Sequence, residues 1–333
     1  MIDPIRLPTD RAPERAASFG NRLKYRANRL LRRTLPKPLY HFARGRYYDA
    51  RRLAGRNPGR GRMLPDYLII GVAKGGTTTL CAWLNEHPFI SPAAHKELHY
   101  FDYEFYRGED WYRSHFPLES DRRAFELAHG RPFLTGEASP TYISHAWAPE
   151  RIARALPEAR LIVALRNPVD RAYSHYQMTR REGEEPLESF DEAVDAEEER
   201  LAPEVARSAA DRRHNSWPLG CWSYLRRSRY AEQLERWFQL FPRDQFHFVK
   251  NEDLAENPAA TLASVHDFLE LPPHDKQDFP KFHVASYSGM TPETRAKLVD
   301  YFRPHNERLY ELVGIDFGWE RDAAPAAPAA STS

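Results

Sequence analysis

The chain has 333 residues, with 48 Lys and Arg against 47 Asp and Glu, so its formal net charge is +1. Hydrophobic residues make up 41% and charged residues 29%, which provides for a sizeable core and excludes wholesale disorder. No apolar run approaches the roughly 18 residues of a membrane-spanning helix, and 2 cysteines cannot build a disulfide framework.

Charge is divided unevenly along the chain. Residues 1–64 contain 17 basic and 4 acidic residues, a net charge of +13, and the remainder carries −12. We predict a basic, partly helical arm over 1–64, a main domain over 65–320 and a disordered Ala/Pro-rich tail over 321–333. Residues 14–35 of the arm combine an apolar helical face with an arginine stripe. Three interpretations stay open: packing on the main domain, contact with an anionic membrane surface, or polyanion binding.

In the main domain, short apolar runs alternate with amphipathic stretches. Strands are predicted at 67–70, 133–135, 161–165 and 246–249. Helices are predicted at 77–87, 151–156, 167–181, 224–241, 257–269 and 291–313. Asn167 is the expected N-cap of its helix, and the acidic run 195–199 is interpreted as a solvated helix face. Continuous apolar strands separated by helices are typical of an α/β fold with a central parallel sheet flanked by helices.

The segment after the first strand has the features of an anion-binding loop. The strand ends at Gly71, and a glycine-rich turn leads directly into a helix. The candidate ligand-binding residues are Lys74, Gly75, Gly76, Thr77, Thr78 and Thr79. Glycines let backbone N–H groups approach a phosphate, and the helix N-terminus adds partial positive charge. Because Lys74 precedes the glycine pair instead of following it, the loop is P-loop-like without matching the Walker sequence.

A second anion site is predicted at the end of strand 161–165. Arg166 follows this strand, and Ser174 lies about two turns into the next helix. Ligands of open α/β sheets bind at the carboxyl ends of strands, and Arg binds phosphate through paired hydrogen bonds. The alternative is a structural ion pair of Arg166 with Asp170. Two such sites fit a nucleotide with phosphates at both ends of its ribose. Strand 133–135 runs into Glu137, so a carboxylate linked to a metal also stays open as an interpretation.

Four segments together resemble the sulfotransferases that use 3′-phosphoadenosine-5′-phosphosulfate (PAPS), in particular the carbohydrate branch related to heparan sulfate sulfotransferases. Residues 70–78 are similar to that family's 5′-phosphosulfate loop, and 166–174 to its 3′-phosphate motif. Residues 95–102, His-Lys-Glu-Leu-His-Tyr-Phe-Asp, resemble its acceptor-side segment, and 136–142, Gly-Glu-Ala-Ser-Pro-Thr-Tyr, are a further match. The resemblance covers roughly residues 65–320 and implies a P-loop-like nucleotide-binding fold.

The resemblance implies transfer of a sulfuryl group from PAPS to a hydroxyl or amine of a small-molecule or glycan acceptor. Lys74 would stabilise the leaving phosphate, and Arg166 with Ser174 would bind the 3′ phosphate. Glu97 would act as general base, with His99 as the alternative base. No metal and no specific nucleic acid is expected. The N-terminal residues lack the apolar region of a signal peptide, so a cytoplasmic location is expected.

Two departures from the family pattern and two other functions stay open. Members that act on glycosaminoglycans tend to carry lysine where this chain has Ala138. The family's adenine-side loop is unclear, and Lys281 to Gly289 is its expected replacement. The alternative functions are a P-loop-like ATP-dependent kinase of small molecules, and a non-catalytic anion-binding protein whose basic arm docks on a membrane or polyanion.

Overall fold

The computed structural model describes residues 59–276, 278–280 and 290–320. Most of the predicted basic arm, the replacement adenine-side loop at 281–289 and the predicted tail therefore lie outside the described residues. Within the described part of the chain, no helix combines the length and the apolar character needed to cross a membrane.

The centre of the fold is a parallel sheet of four strands. They are β1 Tyr67–Gly71, β2 Gly136–Ala138, β3 Arg160–Leu165 and β4 Phe246–Lys250, in the spatial order β2-β1-β3-β4. All neighbouring pairs are parallel, with Ile69 opposite Ile162 and Leu165 opposite Lys250. The predicted α/β class with a central parallel sheet is confirmed. The apolar run 161–165 of β3 follows from its position inside the sheet, where both faces are covered.

Helices flank the sheet and follow the strands along the chain. They are α1 Thr77–Leu84, α2 Glu109–Arg113, α3 Glu119–His129, α4 Ala148–Ala155, α5 Pro168–Arg181, α6 Phe190–Asp195, α7 Glu197–Ala210, α8 Trp217–Cys221, α9 Tyr230–Phe238, α10 Asn251–Glu256, α11 Pro258–Phe268 and α12 Pro292–Val313. Short 3₁₀ turns occur at Phe105–Arg107, Tyr142–Ser144, Arg226–Ser228 and Arg243–Gln245. Asn167 caps α5 as predicted, because its side-chain oxygen accepts the Val169 N–H at 3.0 Å.

Three predicted elements are wrong in position or environment. The strand predicted at 133–135 lies at Gly136–Ala138, and Leu134 forms only an isolated bridge with Ile90. The helix predicted from residue 224 begins at Tyr230. The acidic run is not wholly solvated, because Glu197 is only 5% exposed. Its carboxylate accepts the backbone N–H groups of residues 224–226 at 2.7–2.9 Å, which holds that turn out of α9.

Candidate active site

The loop between β1 and α1, residues 71–79 and here called the phosphate loop, lies against the end of β3. The Val72 N–H donates to the carbonyl of Ala164 at 2.8 Å, and the Gly75 N–H donates to that of Val72 at 2.9 Å. Gly76 precedes α1 with φ 86°, a left-handed conformation that favours glycine. The predicted strand–turn–helix arrangement is therefore present.

The glycine pair is required by close contacts with neighbouring elements. A Cβ atom on Gly75 would lie 2.4 Å from the Ala164 carbonyl oxygen. A Cβ atom on Gly76 would lie 2.4 Å from the Asn251 side-chain nitrogen. Any other residue at these positions would push the loop away from β3 and α10, and thereby displace Lys74. Of the three threonines, Thr77 is buried, and Thr78 and Thr79 are partly buried on the first turn of α1.

The two predicted anion sites meet at the carboxyl ends of adjacent strands. An Arg166 guanidinium nitrogen lies 3.4 Å from the backbone carbonyl oxygen of Lys74, to which it donates. The Lys74 ammonium group donates to the sulfur of Met178 on α5 at 3.8 Å. Ser174 is buried on α5, four residues before Met178 and so on the same helix face. The structure thus brings Lys74 and Arg166 together, and contacts link Lys74 to the α5 face that carries Ser174.

This region carries an excess of positive charge. Burial lowers the pKa of Lys74, and the neighbouring charges of Arg181 and Arg166 lower it further. Among the residues that the structure describes, neither Lys74 nor Arg166 forms an ion pair with a carboxylate. The structural alternative for Arg166 is wrong, because Asp170 pairs with Arg295 instead. This arrangement of cations is suited to an anionic ligand.

On the acceptor side, Glu97, His99 and Asp102 form a chain of charged contacts. The two imidazole nitrogens of His99 lie 3.0 Å from a Glu97 oxygen and 2.9 Å from an Asp102 oxygen. The hydroxyl of Thr141 also donates to Asp102. Asp102 was not among the site residues predicted from the sequence. Its spacing of three residues from His99 is the only local indication of this contact.

The electrostatics of this chain separate the two candidate bases. Burial opposes the charge of His99, but Asp102 and Glu97 outweigh it and raise the pKa of the imidazole well above its usual value. Burial likewise opposes the charge of Glu97, but the hydrogen bond from His99 and the charge of Lys96 lower its pKa to about 2. At neutral pH, His99 is therefore a cation with no free lone pair, and Glu97 is an ionised carboxylate.

Lys96 links the acceptor segment to the phosphate loop. Its ammonium group lies 2.7 Å from a Glu97 oxygen and donates to the Thr78 hydroxyl at 3.3 Å. From the sequence, Glu97 could also simply pair with Lys96 or Arg107 at the surface: the pair with Lys96 is present, whereas Arg107 pairs with Glu104. Glu97 therefore lies one side chain away from the loop that carries Lys74. The contact of Lys96 with Thr78 was not predicted from the sequence.

The fold is a P-loop-like α/β fold. Its candidate site combines a cluster of cations, suited to an anion, with the neighbouring Glu97 carboxylate. The sequence model of the sulfotransferase domain matches residues 64–298, so the chain belongs to the sulfotransferase family. It is 34% identical to the human heparan sulfate glucosamine 3-O-sulfotransferase 6, over 79% of this chain and 75% of that protein. It is 27% identical to the membrane-associated sulfotransferase kil1 of Dictyostelium discoideum, over 77% of this chain and 67% of that protein.

A solved structure supports the same assignment. The sulfotransferase from Alicyclobacillus acidocaldarius is 28% identical and superimposes with a TM-score of 0.59, covering 78% of this chain and 99% of that one. The family resemblance predicted from the four sequence segments is thus confirmed, and with it the P-loop-like fold.

Proposed function

We propose that this protein transfers a sulfuryl group from PAPS to a hydroxyl or amine of a carbohydrate-like acceptor. The observation that carries the proposal is the meeting of Lys74 and Arg166 at adjacent strand ends, with the Glu97 carboxylate linked to the same loop through Lys96. Family membership supports the transferase class, and the named human relative supports a glycan acceptor.

In the proposed complex, the phosphate loop binds the 5′ end of the donor. The residues assigned to it are Lys74, Gly75, Gly76, Thr77, Thr78 and Thr79. Arg166 and Ser174 bind the 3′ phosphate, for which a guanidinium group supplies paired hydrogen bonds. Two observations support the fit of these residues to the donor. Lys74 and Arg166 lack an anionic partner among the described residues, and Gly75 and Gly76 lie where a Cβ atom would displace the loop.

The chemical step is an in-line displacement at sulfur. The acceptor oxygen forms a bond to sulfur as the bond between sulfur and the bridging phosphate oxygen breaks. The electron pair goes to adenosine 3′,5′-bisphosphate, where Lys74 stabilises the charge, and the acceptor proton goes to Glu97. Phosphoryl transfer, which resembles this reaction, is catalysed mainly by positioning and electrostatics. One well-placed donor such as Lys74 contributes about 3–4 kcal/mol to lowering the barrier.

Glu97 is the base that we propose, with His99 as its hydrogen-bond donor. A cationic imidazole has no lone pair for a proton, whereas the Glu97 carboxylate is ionised throughout the neutral range. A pKa of about 2 makes Glu97 a weak base in the unliganded protein. In a loose transition state the proton is transferred late, when the acceptor oxygen has already bonded to sulfur, so a weak base is sufficient.

Two measurements test the proposal. Calorimetry should detect binding of adenosine 3′,5′-bisphosphate, with Arg166→Met as the weakened variant. Transfer of labelled sulfate from PAPS to a panel of sugars should then identify an acceptor. Binding of ATP with Mg²⁺ in preference to the bisphosphate would instead support the kinase alternative. We also propose a cytoplasmic location and an accessory role for the arm 1–64, in which case removal of residues 1–58 should leave transfer intact.

A further inference from the structure

A carboxylate outside the proposed chemistry is buried directly behind the acceptor segment. Glu137 lies in the middle of β2 and is 3% exposed. The hydroxyls of Tyr112 and Tyr142 donate to one of its oxygens at 2.9 and 2.8 Å, and the hydroxyl of Ser139 donates to the other at 2.8 Å. Burial raises the pKa of Glu137, so its retention in the core carries an energetic cost that a function would explain.

Two of these hydroxyls extend the contacts of Glu137 to the turn that contains His99. The Ser139 oxygen accepts the backbone N–H of His99 at 3.1 Å. The Tyr142 oxygen accepts the N–H groups of Tyr100 and Phe101 at 2.9 and 3.4 Å. Because each hydroxyl gives its proton to Glu137, its lone pairs are directed to three consecutive backbone N–H groups.

The backbone of His99 has a conformation that needs such support. Its φ is 55°, in the left-handed region, which costs a residue other than glycine free energy unless its surroundings hold it there. In this conformation the His99 ring lies between Glu97 and Asp102. The hydroxyls of Ser139 and Tyr142, which donate to Glu137 and accept from this turn, therefore fix the turn that places His99 against the proposed base.

We propose that Glu137 is a positioning residue, which acts through Ser139 and Tyr142 to hold His99 against Glu97. The proposal rests on the function proposed above, since it assigns a role within that reaction. It also accounts for a buried carboxylate whose assigned partners are all uncharged hydroxyls. From the sequence, Glu137 could also be a carboxylate linked to a metal. In the structure, three hydroxyl donors satisfy this carboxylate.

Two variants break the connection at different points. Glu137→Gln replaces one acceptor oxygen by an NH₂ donor, so a hydroxyl loses its proton acceptor and its orientation. Ser139→Ala removes the acceptor of the His99 N–H and changes little volume. The matched control is Glu197→Gln, which alters another buried carboxylate that organises a different turn through three backbone N–H groups.

The first measurement is independent of activity and follows the titration of the His99 imidazole by NMR. We expect the pKa of His99 to fall by at least one unit in Glu137→Gln and in Ser139→Ala, because the ring moves away from its carboxylates. It should stay unchanged in Glu197→Gln, even though all three variants lose stability. Wild-type titration of His99 in both test variants would overturn the proposal.

The second measurement separates positioning from binding. At saturating PAPS, kcat for sulfate transfer should fall by about 10²-fold in Glu137→Gln, as a misplacement of about 1 Å predicts. Affinity for adenosine 3′,5′-bisphosphate should stay within about threefold of wild type, since the phosphate loop is untouched. An equal loss of bisphosphate affinity would contradict the proposal. If wild-type protein neither binds the bisphosphate nor transfers sulfate, the proposed function fails, while the His99 titration still decides the role of Glu137.

Discussion

Replacement of Glu97 by glutamine tests the proposed base with almost no change in shape. The two carboxylate oxygens of Glu97 accept from different cations, Lys96 at 2.7 Å and His99 at 3.0 Å. A glutamine amide offers one acceptor and one donor, so in either orientation its NH₂ group faces one of these cations. The variant therefore loses the proton acceptor and one charge-assisted hydrogen bond at once.

The expected loss is large and confined to kcat. General-base assistance contributes about 10²–10⁴-fold, which corresponds to about 3–5 kcal/mol in the barrier. Affinity for adenosine 3′,5′-bisphosphate should stay close to wild type, because Lys74 and Arg166 are unchanged. Labelled-sulfate transfer at saturating PAPS measures the first quantity, and calorimetry measures the second.

A control exists on the same segment. Glu104 also pairs with a cation, Arg107, and both glutamate side chains are 31% exposed. Glu104→Gln should therefore leave kcat within about twofold of wild type, because this partly exposed ion pair lies outside the proposed reaction and contributes little. A Glu97→Gln variant that transfers sulfate at the wild-type rate would remove Glu97 from the role of base. A loss of bisphosphate affinity as large as the loss in kcat would assign it to donor binding instead.

Three further outcomes follow from the geometry. Lys74→Met should lower kcat about 10²–10³-fold at saturating PAPS, and a normal rate would refute leaving-group stabilisation by Lys74. Gly76→Ala should lower the free energy of unfolding by about 1–3 kcal/mol, because Gly76 has a φ of 86° and an added Cβ would contact Asn251. An unchanged midpoint in urea titrations would contradict the packing argument. His266 should contribute to a pH-dependent stability, because burial and two histidine neighbours lower its pKa to about 4. Its contribution is complete above about pH 6.5 and is lost as the pH drops towards 4, so the fall in stability over this range should be smaller in His266→Phe, and an equal fall would contradict the argument.

The sheet and the phosphate loop could be predicted because their determinants are local. A run of apolar residues defines β3, and the order of strand, glycine turn and helix between Gly71 and Thr77 is visible in ten residues of sequence. The pairing of Arg166 with the loop followed from topology, since parallel strands end at the same edge of a sheet.

The environments of buried carboxylates could not be predicted in this way. Glu137 is stabilised by hydroxyls that come from a helix and a 3₁₀ turn elsewhere in the chain, so Gly-Glu-Ala does not look like a buried strand, and the strand was predicted three residues too early. Glu197 lies in an acidic run typical of a solvated face, yet it accepts N–H groups from residues 27 to 29 positions later. Such contacts exist only once the tertiary structure has formed.

The cluster of cations at the strand ends has a consequence for the lifetime of the protein. Mutual repulsion around Lys74 makes the unliganded state less stable than the same fold with an anion bound. A ligand present at 100 times its dissociation constant adds about 2.7 kcal/mol to the free energy of unfolding. Under the proposed function, depletion of PAPS would leave more chains unfolded and open to degradation, so the abundance of the protein would follow the supply of PAPS.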